Sequence, residues 1–161
     1  MGTTQQRFMR RGITKFYFIK AIAASSNIPS RAELTGATDL SGAISDVEGW
    51  ALENTPLDTP DMGSTFSTSI PGEDKADNSS LTFYEDKVSD TLETLLPKGV
   101  EGYVVILRKG DIIGSKSMDT FPVRVGSRAA AYTASAEPAK FKVAFSISDE
   151  PVLDAAVPAA A

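Results

Sequence analysis

Residues 139–148 read AKFKVAFSIS and alternate with a period of two. Phe141, Val143, Phe145 and Ile147 fall on one side; Lys140, Lys142, Ser146 and Ser148 fall on the other. Successive side chains of an extended chain point to opposite faces, so this pattern specifies a strand with one face in a core and one in water. Working outward, residues 118–126 (MDTFPVRVG) repeat the pattern, with Phe121, Val123 and Val125 inward and Arg124 outward. Residues 103–109 (YVVILRK) are a near-continuous apolar run, as in a central strand, and residues 81–85 (LTFYE) make a short one. Residues 13–23 (ITKFYFIKAIA) are rich in aromatic and β-branched types. Phe16 and Phe18 share one face and Tyr17 and Ile19 the other, so this strand is expected inside a sandwich or between subunits.

Residues 43–53 (AISDVEGWALE) also read as a strand, but Asp46 and Glu48 share the parity of Ile44, Trp50 and Leu52. A bulge near Gly49 or a partly wet face is needed to keep two acids out of the core. Residues 24–42 are rich in turn formers. A helix is expected over 88–96, where Val88, Leu92, Leu95 and Leu96 follow helical spacing, Ser89 or Asp90 caps the start, and Pro97 and Gly99 stop it. Residues 54–80 carry Pro56, Pro60, Gly63, Pro71 and Gly72, with only 65–70 looking extended. A loop of that length in a compact domain is usually functional, and it reads as a protruding hairpin or lobe. The fold class is therefore mainly β, a sandwich or barrel of six or seven strands with one short flanking α-helix. Residues 1–12 form an arm, 13–150 the single domain, and 151–161 a Pro/Ala-rich tail with too little to bury alone.

The chain has 161 residues, 42% apolar and 23% charged, with no Cys and no His. Those absences remove disulfides, thiolate nucleophiles, Cys- or His-based metal sites and the Ser-His-Asp triad. The net charge of −5 disfavours general nucleic-acid binding. Charge is unevenly placed: residues 1–35 hold six bases and one acid, whereas residues 36–96 hold thirteen acids and two bases. A basic arm ahead of an acidic middle marks either contact between copies of one chain or two solvated faces that never meet. Arg10-Arg11 ahead of Phe16–Ile19 has a crude leader pattern, but Lys15 and Lys20 interrupt the apolar stretch. No stretch is long and apolar enough to span a membrane.

The candidate chemical motifs are weak. Residues 110–117 (GDIIGSKS) miss the spacing of a phosphate loop and read as a hairpin turn. Asp74, Asp77 and Asn78, or Asp58 and Asp61, could offer oxygen to calcium, yet neither matches a calcium loop, and a solvated acidic loop is preferred. Asp46 with Glu48, and Glu85 with Asp86, are acid pairs without a glycosidase context. No enzyme and no cofactor is expected. Trp50 and Tyr84 on an exposed face would favour the alternative function, a monomeric β-sandwich binding module such as a carbohydrate-binding or capsid-decorating domain.

In their order and spacing, several segments resemble the major tail tube proteins of long-tailed, siphovirus-type bacteriophages, especially those of actinobacterial hosts. They are residues 29–34 (PSRAEL), 70–72 (IPG), 80–86 (SLTFYED), 96–99 (LPKG), 102–108 (GYVVILR), 121–125 (FPVRV) and 145–151 (FSISDEP). The resemblance covers roughly residues 13–152. It implies a β-sandwich or barrel flanked by a helix, and six-fold rings stacked into a hollow conduit for DNA ejection. Its partners would be its own copies and the tape measure, tail terminator and distal tail proteins, with DNA passing without specific binding and no membrane contact. Its place would be the virion tail, after assembly in the host cytoplasm. On that basis Arg7, Arg10 and Arg11 are expected to meet Asp58, Asp61, Glu73, Asp74 or Asp77 of a neighbour. Phe16 and Phe18 are expected at a subunit interface, and Asp46 and Glu48 facing the lumen. A negative wall would repel phosphate over about 8 Å, lining the bore without blocking it.

Overall fold

The computed structural model describes residues 6–76 and 78–159. In chain order the elements are β1 (Lys15–Ile19), α1 (Arg31–Thr35), β2 (Thr38–Asp39), β3 (Ile44–Glu48), β4 (Leu52–Thr59) and β5 (Thr68–Ala76). There follow β6 (Ser79–Tyr84), α2 (Thr91–Leu95), β7 (Glu101–Leu107), β8 (Met118–Ala131), β9 (Lys140–Ile147) and β10 (Val152–Ala155). One antiparallel sheet runs β2-β1-β7-β8-β9-β6-β3, with β10 added beside β8; β4 and β5 form a second sheet by themselves.

The alternating strands explain how the large sheet closes on itself. Phe141, Val143 and Phe145 of β9, Leu81 and Phe83 of β6, and Phe121, Val123 and Val125 of β8 point inward. They meet Val104 and Ile106 of β7 and Phe18 of β1 in one core. Residues from both ends of the strand order thus share one interior, which makes the sheet an incompletely closed barrel. Leu40 plugs it from the β2–β3 link, its N–H donating to the Phe16 carbonyl at 2.8 Å.

The second apolar face of β1 is covered by the chain itself. Ile19, Val105, Leu107 and Met118 form an outer cluster with Leu34 of α1 and with Ala155 and Val157 of the tail; Tyr17 packs on its margin. The tail, with too little to bury alone, gains a strand and a buried anchor by packing on the barrel. Arg31 holds it from above, donating to the Pro158 carbonyl and, bidentately, to Asp111 at 2.8 and 2.9 Å.

Three further differences from the sequence reading have local causes. The turn-rich stretch 24–42 contains α1, a second helix, started by a capping box in which Ser30 Oγ accepts from the Glu33 N–H and Glu33 accepts from the Ser30 N–H. The expected helix over 88–96 shortens to Thr91–Leu95; of the two proposed caps Asp90 makes no side-chain bond, while Ser89 Oγ accepts the Thr91 N–H at 3.4 Å and Asp86 accepts the N–H groups of Val88 and Ser89. The single strand expected over 43–53 breaks at Gly49 and Trp50, both left-handed with φ of 80° and 66°. A Cβ at position 49 would stand 2.5 Å from the Asn78 carbonyl oxygen, so only glycine allows this crossing of the chain. A register shift between Ile44 and Asp46 turns both acids of β3 outward, which resolves the parity conflict.

Candidate assembly surfaces

Trp50 sits where the barrel hands over to the β4–β5 hairpin. Its indole packs on Phe121 and Phe145, its Nε1–H donates to the Ser80 carbonyl at 3.3 Å, and its backbone N–H donates to Ser79 Oγ at 2.9 Å. The ring is thus a core anchor, not the exposed stacking platform a sugar-binding module would need. From it the hairpin runs outward as a free two-stranded ribbon, a form only marginally stable in isolation. Its register shifts between Thr55 and Leu57 around Pro56 and Pro71. Asn54 clamps that irregularity, donating to the Gly72 carbonyl and accepting the Gly72 N–H at 3.1 Å each.

The tip is apolar and unprotected. Met62 is wholly exposed and Phe66 is 73% exposed, while Leu57 and Ile70 pair across the strands with more than half their surface in solvent. Asp58 and Asp61 flank these side chains, and Glu73 and Asp74 lie exposed nearer the base. Asp61 accepts the Gly63 N–H at 2.8 Å, shaping the tip, and Asp74 accepts from Asn54. Asp77, also expected at an interface, lies outside the described residues.

A second surface opens where the barrel fails to close. A groove of about 750 Å³ runs between β1 and β3, floored by Phe16, Ile44, Val47 and Tyr84 and edged by Arg10, Arg11 and the acid Asp46. The Arg10 carbonyl accepts from Ile13 and Thr14 N–H at 3.0 and 2.9 Å, so a tight turn sets both arginines beside the groove. Arg7 is exposed farther out on the arm. Phe16 is half-buried at the groove floor. Phe18, by contrast, is 2% exposed and packs wholly within its own core, so its ring offers nothing to a neighbouring subunit.

The third surface is the outward face of β9, β6 and β3, which no helix among the described residues covers. Asp46 and Glu48 both lie there, exposed. Glu48 accepts from Lys142 Nζ at 3.2 Å, and Lys140 Nζ stands 5.5 Å from the centre of the Tyr84 ring. The two acids therefore share their face with two lysines, each engaged locally. Sequence periodicity missed this because cross-strand neighbours depend on register, which alternation does not supply.

The ribbon thus holds Leu57, Met62, Phe66 and Ile70 in solvent, away from the barrel core. Across residues 1–160 the sequence matches the family described as phage tail tube protein. The chain belongs to that family. No curated protein matches it. Among solved structures it is similar to the sheath/tube terminator of an extracellular contractile injection system, the PVC, in its extended state. The TM-score there is 0.62 at 10% identity, covering 92% of this chain and 98% of that one. It is also similar to a chain of the anti-feeding prophage baseplate, 6-fold symmetrised, with a TM-score of 0.58 at 13% identity, covering 94% and 99%. A third likeness is to a chain in the tail of an empty GTA particle refined with C6 symmetry, with a TM-score of 0.53 at 8% identity, covering 92% and 98%. At such identities the likeness is one of fold. The tail tube protein described here is a structural subunit of a phage tail and a component of the virion.

Proposed function

We propose that this tail tube protein assembles into six-membered rings that stack into a hollow conduit through which DNA leaves the particle. The observation that carries this reading is the β4–β5 hairpin, a ribbon with exposed Leu57, Met62, Phe66 and Ile70 and no core of its own. Such a surface is costly in water and useful only when another chain covers it. The six-fold symmetry stated for the anti-feeding prophage and GTA relatives supports the ring size. The basic arm with Arg7, Arg10 and Arg11 then meets acids of a neighbour's hairpin, among Asp58, Asp61, Glu73, Asp74 and Asp77.

The open face of β9, β6 and β3 lines the bore, with Asp46 and Glu48 on its wall. Lys142 pairs with Glu48 and Lys140 stands over the Tyr84 ring, which offsets part of the pull of each ammonium on passing phosphate. The subunit has no catalytic role and no cofactor, assembles in the host cytoplasm, and joins tape measure, terminator and distal tail proteins within a non-contractile tail. Deleting residues 1–12 tests the arm: tube yield seen by negative-stain electron microscopy falls sharply if the arm joins subunits, and an unchanged yield refutes that role.

A further inference from the structure

We infer that Met62 is a reversible oxidation site, and that its sulfoxide stops the free subunit from entering a tube. This rests on the tube reading above, in which another chain covers the ribbon. The chain holds four methionines and no cysteine, so its readily oxidised sulfur is all thioether. Met1 lies outside the described residues. Met118 is fully buried in the outer cluster with Ala155 and Val157, out of reach of a solute. Met9 is 68% exposed on the arm, whereas Met62 is wholly exposed. The turn that presents Met62 is fixed: Asp61 accepts the Gly63 N–H at 2.8 Å and Ser64 Oγ accepts the Phe66 N–H at 3.0 Å. The thioether is therefore held in water, on an apolar tip shared with Leu57, Phe66 and Ile70.

Hydrogen peroxide, a small neutral oxidant, needs only an accessible sulfur. The sulfur lone pair attacks one peroxide oxygen and the O–O bond breaks. The released hydroxide takes the proton of the transferred oxygen and leaves as water. Sulfur loses two electrons and the peroxide gains them; methionine sulfoxide remains, and sulfoxide reductases reverse it. The change turns a flexible apolar side chain into a polar one. In the free subunit this costs nothing, because Met62 is already in water. Once another chain covers the tip, an unpaired S=O must be buried, which weakens the contact roughly tenfold or more. The ribbon is a separate sheet and Met118 stays shielded, so the barrel fold survives the same treatment. Assembly and sensitivity exclude each other, since a covered tip is also out of reach of peroxide.

The test treats the free chain with dilute hydrogen peroxide, locates the added oxygen by peptide mass spectrometry, and then scores tubes by negative-stain electron microscopy. Met62 should gain oxygen first and Met118 last, and circular dichroism should stay unchanged. Tube yield should fall roughly tenfold as Met62 sulfoxide accumulates. Methionine sulfoxide reductases A and B should restore the yield, and Met62→Leu should keep it under the same peroxide. Met9 oxidised ahead of Met62, full Met62 sulfoxide with undiminished tubes, or a Met62→Leu chain inactivated like wild type would each overturn the inference. If Met62→Leu does not assemble, rescue of oxidised wild type by the reductases decides alone, and no recovery overturns it. An untreated wild-type chain that forms no tubes defeats the tube reading instead, and the order of oxidation still stands or falls by mass.

Discussion

The ring of Trp50 meets the ring of Phe121 edge-on, with centroids 5.2 Å apart and planes at 75°. This contact ties the base of a free ribbon to the middle of the barrel core. Trp50 holds a left-handed backbone to make it, a conformation with steric strain that the surrounding hydrogen bonds and ring packing offset. Trp50→Ala should therefore cost about 3 kcal/mol in chemical denaturation, through lost packing of a large ring. Trp50→Phe, keeping two ring contacts but not the Ser80 bond, should cost less. Equal stability of the alanine variant would show that the hairpin base is not anchored there.

Gly102 faces Phe18 across the β1–β7 pair. A methyl group at position 102 would stand 2.5 Å from Phe18 Cζ and 2.9 Å from the Ile19 carbonyl oxygen. Gly102→Ala is expected to destabilise the barrel by about 1–3 kcal/mol, the usual range for overpacking. Urea unfolding checks this, and an unchanged midpoint would mean that Phe18 has room to move.

Gly72→Ala should act differently. Its methyl group would meet the Thr55 carbonyl oxygen and Leu57 Cγ, at 2.9 Å from the latter, and so disturb the bulge that Asn54 clamps. The hairpin is a separate sheet, so melting of the barrel should shift by less than about 0.5 kcal/mol while tube yield falls. A large loss of barrel stability with normal assembly would reverse that assignment.

Two carboxylates should make stability respond to acid in opposite senses. The hydrogen bond from Arg31 holds the Asp111 carboxyl below the usual carboxylate range, against a smaller opposing effect of burial. Its contribution is complete above the unfolded value of about 3.9 and is lost as pH falls through the lowered folded value. Asp119 is pushed up by burial, although the Asp154 N–H and Arg108 favour its charge. Its ionisation penalty is relieved as pH falls through the raised folded value, and is fully relieved below about 3.9. In thermal melts from neutral pH toward pH 3, the advantage of wild type over Asp111→Asn should shrink, whereas wild type should gain on Asp119→Asn. Parallel pH slopes for the two variants would contradict the assigned environments.

Much of the barrel was legible because its strands are half-buried. The alternation in residues 139–148 corresponds to β9 with Phe141, Val143 and Phe145 inward, and the apolar run from Tyr103 corresponds to a β7 covered on both faces. Alternation fades where a strand has no core to face, which is why the ribbon strands β4 and β5 looked extended only over 65–70. The helix at Arg31 carried its signal in Ser30 and Glu33, a capping box overlooked among turn formers. The two apolar sides of β1 correctly indicated two coverings, but α1 and the tail supply the second one from within the chain. Phe18 could not be told from an interface residue by periodicity, because an inward and a partner-facing ring have the same pattern. The groove between β1 and β3 exists only through closure of the sheet, a long-range event that no local spacing records.

The most direct test of the central claim is a cryo-electron microscopy reconstruction of tails containing this chain at side-chain resolution. The account predicts six copies per ring, repeated along the tail, with Asp46 and Glu48 facing the bore. A chain found as a solitary subunit on the particle surface, or an inner wall lined by unpaired lysines and arginines, would contradict it.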